Sequence, residues 1–335
     1  MKEYHPTRPY ASSLTVRETQ KAIKEVKDGF QKRLAAALNL DRVTAPLMVE
    51  AGRGINDDLN GVERKVAFSV GREETPVEIV QSLAKWKRMQ LGFFGYRRGE
   101  GIYTDMNAIR RDEDLDPLHS VFVDQWDWEK VISGEDRTLA YLEEVARTVV
   151  GILADVKDAI RASYPVLTRT VTREVTCITT EELAARYPHL SPKEREDAVT
   201  REYGTVLVEK IGYPLSDGKP HDGRAPDYDD WNLNGDILVW NEVLGCAFEI
   251  SSMGIRVDAD SLARQLETAG KLDRLSLEYH RGVMDGKYPL TVGGGIGQSR
   301  LCMFLLEKAH IGEVQSSVWP REMREELAKE NIYLL

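Results

Sequence analysis

The sequence predicts an α+β fold in which an antiparallel sheet is flanked by helices. Two pairs of strand-like segments are close neighbours in the chain. Residues 65–70 and 77–80 lie on either side of Gly71, and residues 236–240 and 246–250 on either side of Asn241. Neighbouring strands pair most readily in the antiparallel sense, whereas a doubly wound parallel sheet needs a helical crossover after each strand.

The first long helix is predicted from its cap and its apolar period. Thr15 and Glu18 form a capping box at its start. One face of the helix carries Val16, Ile23, Val26, Phe30 and Leu34. Pro46 stops any further helix and starts an extended segment at 47–49. Residues 82–91 then predict a basic helix, whose cations are Lys85, Lys87 and Arg88.

The second half of the chain alternates helices and strands. A strand at 121–123 leads into an aromatic and acidic run at 124–129. Between residues 139 and 160, apolar residues recur every three or four positions, which predicts a long helix. The segment that starts with Ser191 has an N-cap, a proline and a glutamate at the right spacing for a further helix, which ends at Gly204 before a strand at 206–208.

The composition is that of an ordinary globular enzyme. The chain has 335 residues, 42% hydrophobic and 30% charged, and a formal net charge of −10, which argues against a nonspecific nucleic-acid binder. No apolar run approaches the length of a membrane span, and no apolar signal segment is visible. Cys177, Cys246 and Cys302 lie far apart and indicate neither a zinc site nor a disulfide framework, so we expect a reducing cytoplasm.

A glycine-rich segment at 293–297 runs into an apolar helix whose first turn carries Arg300. Glycines allow a ligand to approach the backbone closely, and an arginine beside a helix N-terminus suits a phosphate. The spacing matches neither a P-loop nor G-x-G-x-x-G. A glycine-rich turn before a core helix is the structural alternative.

Charged residues suggest two further parts of a site. Arg110 and Glu113 lie close together before a proline-bounded loop, where a guanidinium can clamp phosphate oxygens and a carboxylate can accept from a base. Asp236 and Glu249 lie on strands among apolar residues and therefore need a partner, for which magnesium is a candidate. For any one basic cluster a solvated face is the commoner role, and for Asp58, Asp227 and Asp230 the commoner role is that of a loop carboxylate. His119 is as suited to a structural role as to a catalytic one.

The order of these pieces resembles the three signature motifs of class II aminoacyl-tRNA synthetases. The helix and strand up to Pro46 resemble the first motif, Arg110 with Glu113 the second, and the glycine strand ending in Arg300 the third. Residues 81–87 and Gln125 with Asp127 resemble the aspartate branch of that class.

From about residue 15 to the end, the chain more closely resembles the ammonia-dependent asparagine synthetases. The matching segments are SLAKWKR (82–88), GEG (99–101), HS (119–120), VDQWDWE (123–129), RAPDYDDW (224–231), LNGDILVW (233–240), SSMGIRVD (251–258) and GGGIGQSR (293–300). One departure is visible. The segment between Trp231 and Leu233 is shorter than in some members, so we expect a loop near the acidic cluster to differ.

The resemblance implies a single catalytic domain over residues 1–335 and a defined reaction. ATP converts L-aspartate to β-aspartyl adenylate with release of pyrophosphate, and ammonia then displaces AMP to give L-asparagine. Fixed cations and Mg²⁺ are expected to stabilise the charge that shifts among the phosphate oxygens. The expected partners are these small molecules and a second copy of the chain in a homodimer, with neither nucleic acid nor a membrane.

The resemblance also assigns roles to individual residues. The residues expected to hold ATP are Arg110 at the α-phosphate, Arg300 at the γ-phosphate, Glu113 at the adenine amino group, His119, Gly294, Gly295 and Gly297. Those expected to hold aspartate are Ser82, Lys87, Gln125, Asp127, Asp229 and Ser252. The expected magnesium ligands are Asp236 and Glu249. Those assigned to catalysis are Asp57, Arg110 and Arg300, with Asp57 either closing over the aspartate ammonium group or orienting ammonia.

Two other functional classes fit parts of the pattern. A tRNA-aminoacylating enzyme shares the three motifs, but the acidity of the chain disfavours tRNA and no room for an anticodon-binding domain precedes residue 15. A non-catalytic regulator that binds an amino acid or nucleotide is disfavoured because the arginine-bearing motifs keep their acidic partners.

Overall fold

The computed structural model describes residues 6–7, 9–57, 59 and 63–335. The strands in these ranges are β1 (Leu40–Arg42), β2 (Met48–Glu50), β3 (Ala67–Val70), β4 (Thr75–Ile79), β5 (Gly101–Ile109), β6 (Phe122–Val131), β7 (Thr176–Thr179), β8 (Thr205–Glu209), β9 (Asp229–Asn241), β10 (Cys246–Arg256) and β11 (Thr291–Gly297). The α-helices are α1 (Val16–Leu38), α2 (Ala84–Phe94), α3 (Leu139–Ser163), α4 (Thr180–Arg186), α5 (Pro192–Tyr203), α6 (Ala259–Thr268), α7 (Glu278–Met284), α8 (Gln298–Leu305) and α9 (Arg321–Lys329). None of the helices in the described ranges has both the length and the apolarity to cross a membrane.

Eight strands form one sheet in the order β1-β5-β6-β11-β10-β9-β8-β7. The inner pairings are antiparallel, and the parallel pairs β1–β5 and β7–β8 lie at the two edges. A separate antiparallel sheet has the order β2-β4-β3. The predicted α+β fold with a sheet flanked by helices is therefore confirmed.

Helices α1 and α3 cover one face of the main sheet. The predicted capping box of Thr15 and Glu18 is present at the start of α1. The buried face of α1 packs into a core that includes α3 and the sheet, and the ring of Phe30 stacks on Trp126 of β6 with centroids 5.1 Å apart. The apolar period thus predicted the packing faces of α1 and α3, except that Val16 at the start of α1 is 54% exposed.

Strand β6 is longer than the predicted segment at 121–123. It continues through the aromatic and acidic run, because residues along a strand point alternately to its two faces. Trp126 and Trp128 are fully buried on the core face, whereas Gln125, Asp127 and Glu129 lie on the opposite face. The aromatic and acidic run at 124–129 is therefore part of β6 and does not follow it.

Two other expectations are corrected. The three cations of α2 do not form a solvated face: Lys85, Lys87 and Arg88 are each at most 2% exposed. The segment between Trp231 and Leu233 is not a loop, since β9 runs through it without interruption. Asp227 lies in the loop before β9 as expected but is buried, Asp230 lies in β9 rather than in a loop, and Asp58 lies outside the described residues.

We expect Phe30→Ala to lower the free energy of unfolding by about 3–5 kcal/mol, because it removes a buried ring and leaves a cavity against Trp126. Urea unfolding followed by circular dichroism measures this change. Val16→Ala is the control on the same helix, since Val16 is 54% exposed, and it should change stability by no more than about 0.5 kcal/mol. Equal losses in the two variants would contradict the packing of α1.

Candidate active site

A cavity of about 440 Å³ lies on the face of the main sheet that α1 and α3 leave open. All predicted site residues line it except Lys87 and Asp236, which lie directly beneath its lining. The lining residues among them are Asp57, Ser82, Arg110, Glu113, His119, Gln125, Asp127, Asp229, Glu249, Ser252, Gly294, Gly295, Gly297 and Arg300. Residues from distant parts of the sequence therefore meet at one place.

A β-bulge in β10 brings Glu249 and Ser252 to the same cavity. The pairing of β10 with β9 shifts register between Glu249 and Ser251. Residues three apart normally point to opposite faces of a strand, and the bulge reverses the alternation. The core side shows the same shift, since Phe248 and Met253, five residues apart, are both buried in the main core.

Packing within the protein requires glycine at two positions of β11, independently of any ligand. A Cβ on Gly293 would overlap the carboxylate of Glu129 and the guanidinium of Arg256. A Cβ on Gly295 would lie 2.5 Å from Oε1 of Gln125. Side chains of neighbouring strands therefore fill the space above these two glycines.

A Cβ added at Gly294 or Gly297 would meet different surroundings. A Cβ on Gly294 would point to the core and lie 2.8 Å from Cβ of Met253, so only the backbone of this residue reaches the cavity. A Cβ on Gly297 would lie 3.2 Å from Cβ of Arg300, a tight approach.

Lys87 is fully buried below the cavity and contacts the protein rather than open space. Its Nζ donates to the carboxylate of Asp127 and to the backbone oxygens of Trp128 at 3.0 Å and Gly294 at 3.2 Å. The three donors of a lysine are thereby used. Lys87 thus orients Asp127, whose Oδ2 is buried without a hydrogen-bond partner among the described residues.

Arg256 joins two further carboxylates beside this pair. Its guanidinium donates to Glu129, with Nη2 at 2.7 Å from Oε2, and to Asp229. Burial alone would raise the pKa of Glu129, but the charge of Arg256 lowers it below the usual value. Lys87, Arg256, Asp127, Glu129 and Asp229 form what we call the floor network, in which three carboxylates share two cations.

Arg224 connects a second group of residues. Its Nη1 donates to Oγ of Ser252 at 2.8 Å and its Nη2 to Oδ1 of Asp236 at 2.6 Å, while its Nε is buried without a partner among the described residues. Burial raises the pKa of Asp236 to about 6, and the charge of Glu249 adds to this effect against the opposing charge of Arg224. The two carboxylates thus repel each other beside the cavity, which is the electrostatic setting of a cation site.

Cations surround Glu249. Burial would raise the pKa of this carboxyl group, but Arg300, Lys193, Arg224 and His119 lower it overall. Nη1 of Arg300 lies 3.8 Å from Oε2 of Glu249, and Arg300 is in the first turn of α8 as predicted. This part of the cavity can therefore accept a strongly anionic ligand.

Arg110 follows β5 directly, at the mouth of the loop to β6. Its Nη1 lies 3.9 Å from Oε2 of Glu113, and its Nε is buried without a partner among the described residues. His119, on the same loop, has Nδ1 2.9 Å from Oδ1 of Asp116, which orients the ring. The loop thus presents a guanidinium, a carboxylate and an imidazole to one cavity.

Asp57 is 1% exposed and comes from the loop after β2. Gly52 and Gly54 in this loop have φ of +78° and +73°, a region that favours glycine. A Cβ on Gly54 would lie 2.8 Å from Cβ of Leu277, so the loop packs closely on the segment before α7. Lys85 influences Asp57 electrostatically and donates to Asp227 at 3.1 Å.

Sequence reasoning missed the roles of Arg224, Arg256, Glu129 and Lys193. Both arginines lie within segments that carry the family resemblance. No local signal marks them, because the acidic partner of Arg256 on β6 is 127 positions away. Only the pairing of strands brings these charges together.

Comparison with known proteins gives consistent results. The aspartate-ammonia ligase family matches residues 17–331. A relative from Bacillus cytotoxicus named aspartate–ammonia ligase is 56% identical over 325 residues, which cover 97% of this chain and 99% of the relative. A relative of the same name from Bacillus cereus is 54% identical with the same coverage.

Two solved structures of aminoacyl-tRNA synthetases have a similar fold. The asparaginyl-tRNA synthetase of Entamoeba histolytica, in complex with asparaginyl-adenylate, has a TM-score of 0.63 at 18% identity and covers 90% of this chain and 66% of its own. The Pyrococcus horikoshii enzyme, complexed with asparaginyl-adenylate, has a TM-score of 0.65 at 16% identity, with 90% and 70% covered. This chain thus spans about two-thirds of the length of the former, and the predicted class II synthetase fold is confirmed. Because the family matches residues 17–331 and the relatives match nearly the full length of the chain, the chain belongs to the aspartate–ammonia ligase family.

Proposed function

We propose that the protein converts L-aspartate and ammonia to L-asparagine at the expense of ATP, through β-aspartyl adenylate, with AMP and pyrophosphate as the other products. Family membership supports the overall reaction. The observation that carries the adenylate route is that one cavity contains both a cation-rich group around Glu249 and the carboxylate-rich floor network. A substrate that joins an amino acid to a nucleotide needs both.

The floor network suits the amino-acid part of the substrate. Its three carboxylates exceed its two cations, and Oδ2 of Asp127 has no partner among the described residues. An α-ammonium group would supply the missing charge and donor. The free Nε of Arg224 is a matching donor for a carboxylate. Ser82, Gln125, Asp229 and Ser252 would complete the contacts with aspartate, and Lys87 would act by holding Asp127.

The cation-rich group suits ATP. Arg110 would bind the α-phosphate, with its unpartnered Nε available for that contact, and Arg300 the γ-phosphate. Glu113 would accept from the adenine amino group, and the backbone of Gly294, Gly295 and Gly297, together with His119, would complete the nucleotide contacts. Bidentate guanidinium contacts stabilise the charge that develops as pyrophosphate leaves.

Asp236 and Glu249 would hold a magnesium ion, since Mg²⁺ prefers carboxylate oxygens. The raised pKa of Asp236, caused by burial and by the charge of Glu249, supports this fit. The ion would neutralise phosphate charge when bound. Arg224 and Arg300 hold the two carboxylates in position.

For the ammonia step, a carboxylate has to bind ammonium or help to deprotonate it. Asp57 lines the cavity on a glycine-containing loop, so it can close over the substrate. Asp127 and Asp229 are already engaged in the floor network and suit the α-ammonium group better. In this proposal the chain acts as one catalytic domain in the cytoplasm, a compartment in which the three free cysteines would stay reduced.

The direct test is to mix the protein with aspartate and ATP and to measure pyrophosphate exchange, then to add ammonium and measure asparagine. The proposal requires exchange that depends on aspartate, and asparagine that depends on ammonium but not on tRNA. Exchange that depends on asparagine, or product only in the presence of tRNA, would favour an aminoacylating enzyme instead.

We expect Arg110→Ala to lower the rate of aspartate-dependent pyrophosphate exchange by about 10²–10³, because a transition-state contact with phosphate is lost. The melting temperature should be unchanged, since the ion pair of Arg110 with Glu113 is long, at 3.9 Å. Arg111→Ala is the control, because Arg111 is exposed and does not line the cavity. Near-normal exchange in the Arg110 variant would remove the assignment.

We expect Asp57→Asn to weaken asparagine formation more than pyrophosphate exchange. The amide keeps the shape of the side chain but loses its charge and basicity, which matter most when ammonia attacks. Both rates are measured on one preparation of the variant. If the two losses are equal, Asp57 acts in aspartate binding or adenylation, and its role towards ammonia is withdrawn.

We also propose a homodimer, in which β1 is part of the interface. The apolar face of α1 is covered within the chain, but β1 forms an open edge of the main sheet among the described residues. Beside that edge, Phe93 and Phe94 are 82% and 47% exposed, and Tyr96 donates to Asp41 of β1. An exposed aromatic pair next to a sheet edge is suited to association.

Light scattering at micromolar concentration should therefore give twice the chain mass, and Phe93→Glu should shift the population towards monomer, because it places a charge in the contact. Phe68→Glu is the control, since Phe68 is 42% exposed on the separate small sheet. A monomeric wild-type protein with full activity would refute the dimer.

A further inference from the structure

A buried carboxylate at the end of β8 has no role in the proposed reaction. Thr205, Leu207 and Glu209 alternate along this strand towards α3, and Leu207 belongs to the main core. Glu209 is only 4% exposed, and its Oε1 has no hydrogen-bond partner among the described residues. An ionisable group in that position is costly unless a partner compensates it.

Two other potential ligands lie around Glu209. The parallel pairing of β7 with β8 places Thr179 opposite Glu209, so Cys177 is on the same face two residues earlier. Glu143 comes from α3, which packs over this face. One ligand atom each of Glu143, Cys177 and Glu209 lies within 4.8 Å of the other two. None of the three residues lines the catalytic cavity.

Arg147 is the cation in contact with two members of the cluster. Nη2 of Arg147 lies 2.7 Å from Oε2 of Glu143 and 3.6 Å from Sγ of Cys177. Burial raises the pKa of Glu209 to about 7, and Glu143 and Glu182 add to the rise while Lys210 and Arg147 oppose it. Burial likewise raises the pKa of Cys177 to about 12, with contributions from Glu143 and Glu209. One guanidinium thus compensates part of the negative charge of this cluster, which a divalent cation would also compensate.

We propose that Glu143, Cys177 and Glu209 bind a thiophilic divalent cation, for which Zn²⁺ is the best match. Zn²⁺ accepts thiolate at about 2.3 Å and carboxylate oxygen at about 2.0–2.2 Å, so the ligand atoms need to approach by only about 1 Å. Mg²⁺ fits poorly because it does not favour sulfur. With water as a fourth ligand, the ion would tie α3 to the β7–β8 edge of the sheet.

No sequence motif indicates this site. The three ligands come from a helix and two strands and lie 34 and 32 positions apart, unlike the short spacings of zinc motifs that are recognisable in a sequence. Arg147 would have to release Glu143 and Cys177 when the ion enters, so its guanidinium competes with the metal.

Cobalt titration of chelator-treated protein in excess Mg²⁺ tests the proposal, because thiolate bound to Co²⁺ gives a charge-transfer absorption in the near ultraviolet. We expect one Co²⁺ per chain with this absorption, displaced by Zn²⁺. The absorption should be lost in Cys177→Ser and kept in Cys302→Ala, a buried cysteine on α8.

Glu209→Gln keeps the thiol and the shape of the side chain, and we expect it to weaken Co²⁺ binding by at least about tenfold. Melting curves of the metal-free variants show whether each one folds. Absence of the absorption in wild-type protein would overturn the proposal, as would its persistence in Cys177→Ser or an unchanged affinity in folded Glu209→Gln.

Discussion

Two cations, Lys87 and Arg256, are buried among three carboxylates beneath the cavity, and the other site residues are placed relative to them. The network joins α2 to β6 and the end of β10 to the start of β9. Removing one partner of a buried ion pair typically costs about 3–5 kcal/mol, because the remaining charge has no compensation. The same contacts fix the side chains of Asp127 and Asp229 at the cavity surface, so stability and substrate geometry depend on one set of interactions.

The same packing around Glu129 and Arg256 also restricts which residues fit in β11. The carboxylate of Glu129 and the guanidinium of Arg256 occupy the space above Gly293, and Gln125 occupies that above Gly295. Glycine at these positions is therefore required by the pairing of β11 with its neighbours before any ligand binds. The glycines of this strand resemble a nucleotide-binding motif. In this fold, however, neighbouring side chains require glycine at positions 293 and 295 independently of any ligand.

Much of the fold was predictable because its signals are local. Capping boxes, apolar periods and paired strands close in sequence gave α1, α3, α5 and the hairpin of β9 and β10. The burial of Lys85, Lys87 and Arg88 was not predictable in this way, since three cations on a short helix normally face water. Their compensating groups come from other elements, as Asp127 does for Lys87 across 40 positions. The family resemblance identified most of the residues that line the cavity. The contacts of Arg224 and Arg256 became visible only in the structure, where the paired strands bring their partners close.

The bulge in β10 has a consequence for the length of the chain. Glu249 belongs to the cation-rich group and Ser252 to the contacts of Arg224, and one extra residue between Glu249 and Ser252 lets a single strand serve both. Shortening this stretch by one position would turn either these two side chains or the core residues Phe248 and Met253 to the wrong side. A substitution changes one side chain, but a change in residue count would alter every later position of the strand at once. In this part of the protein, the number of residues is constrained as well as their identity.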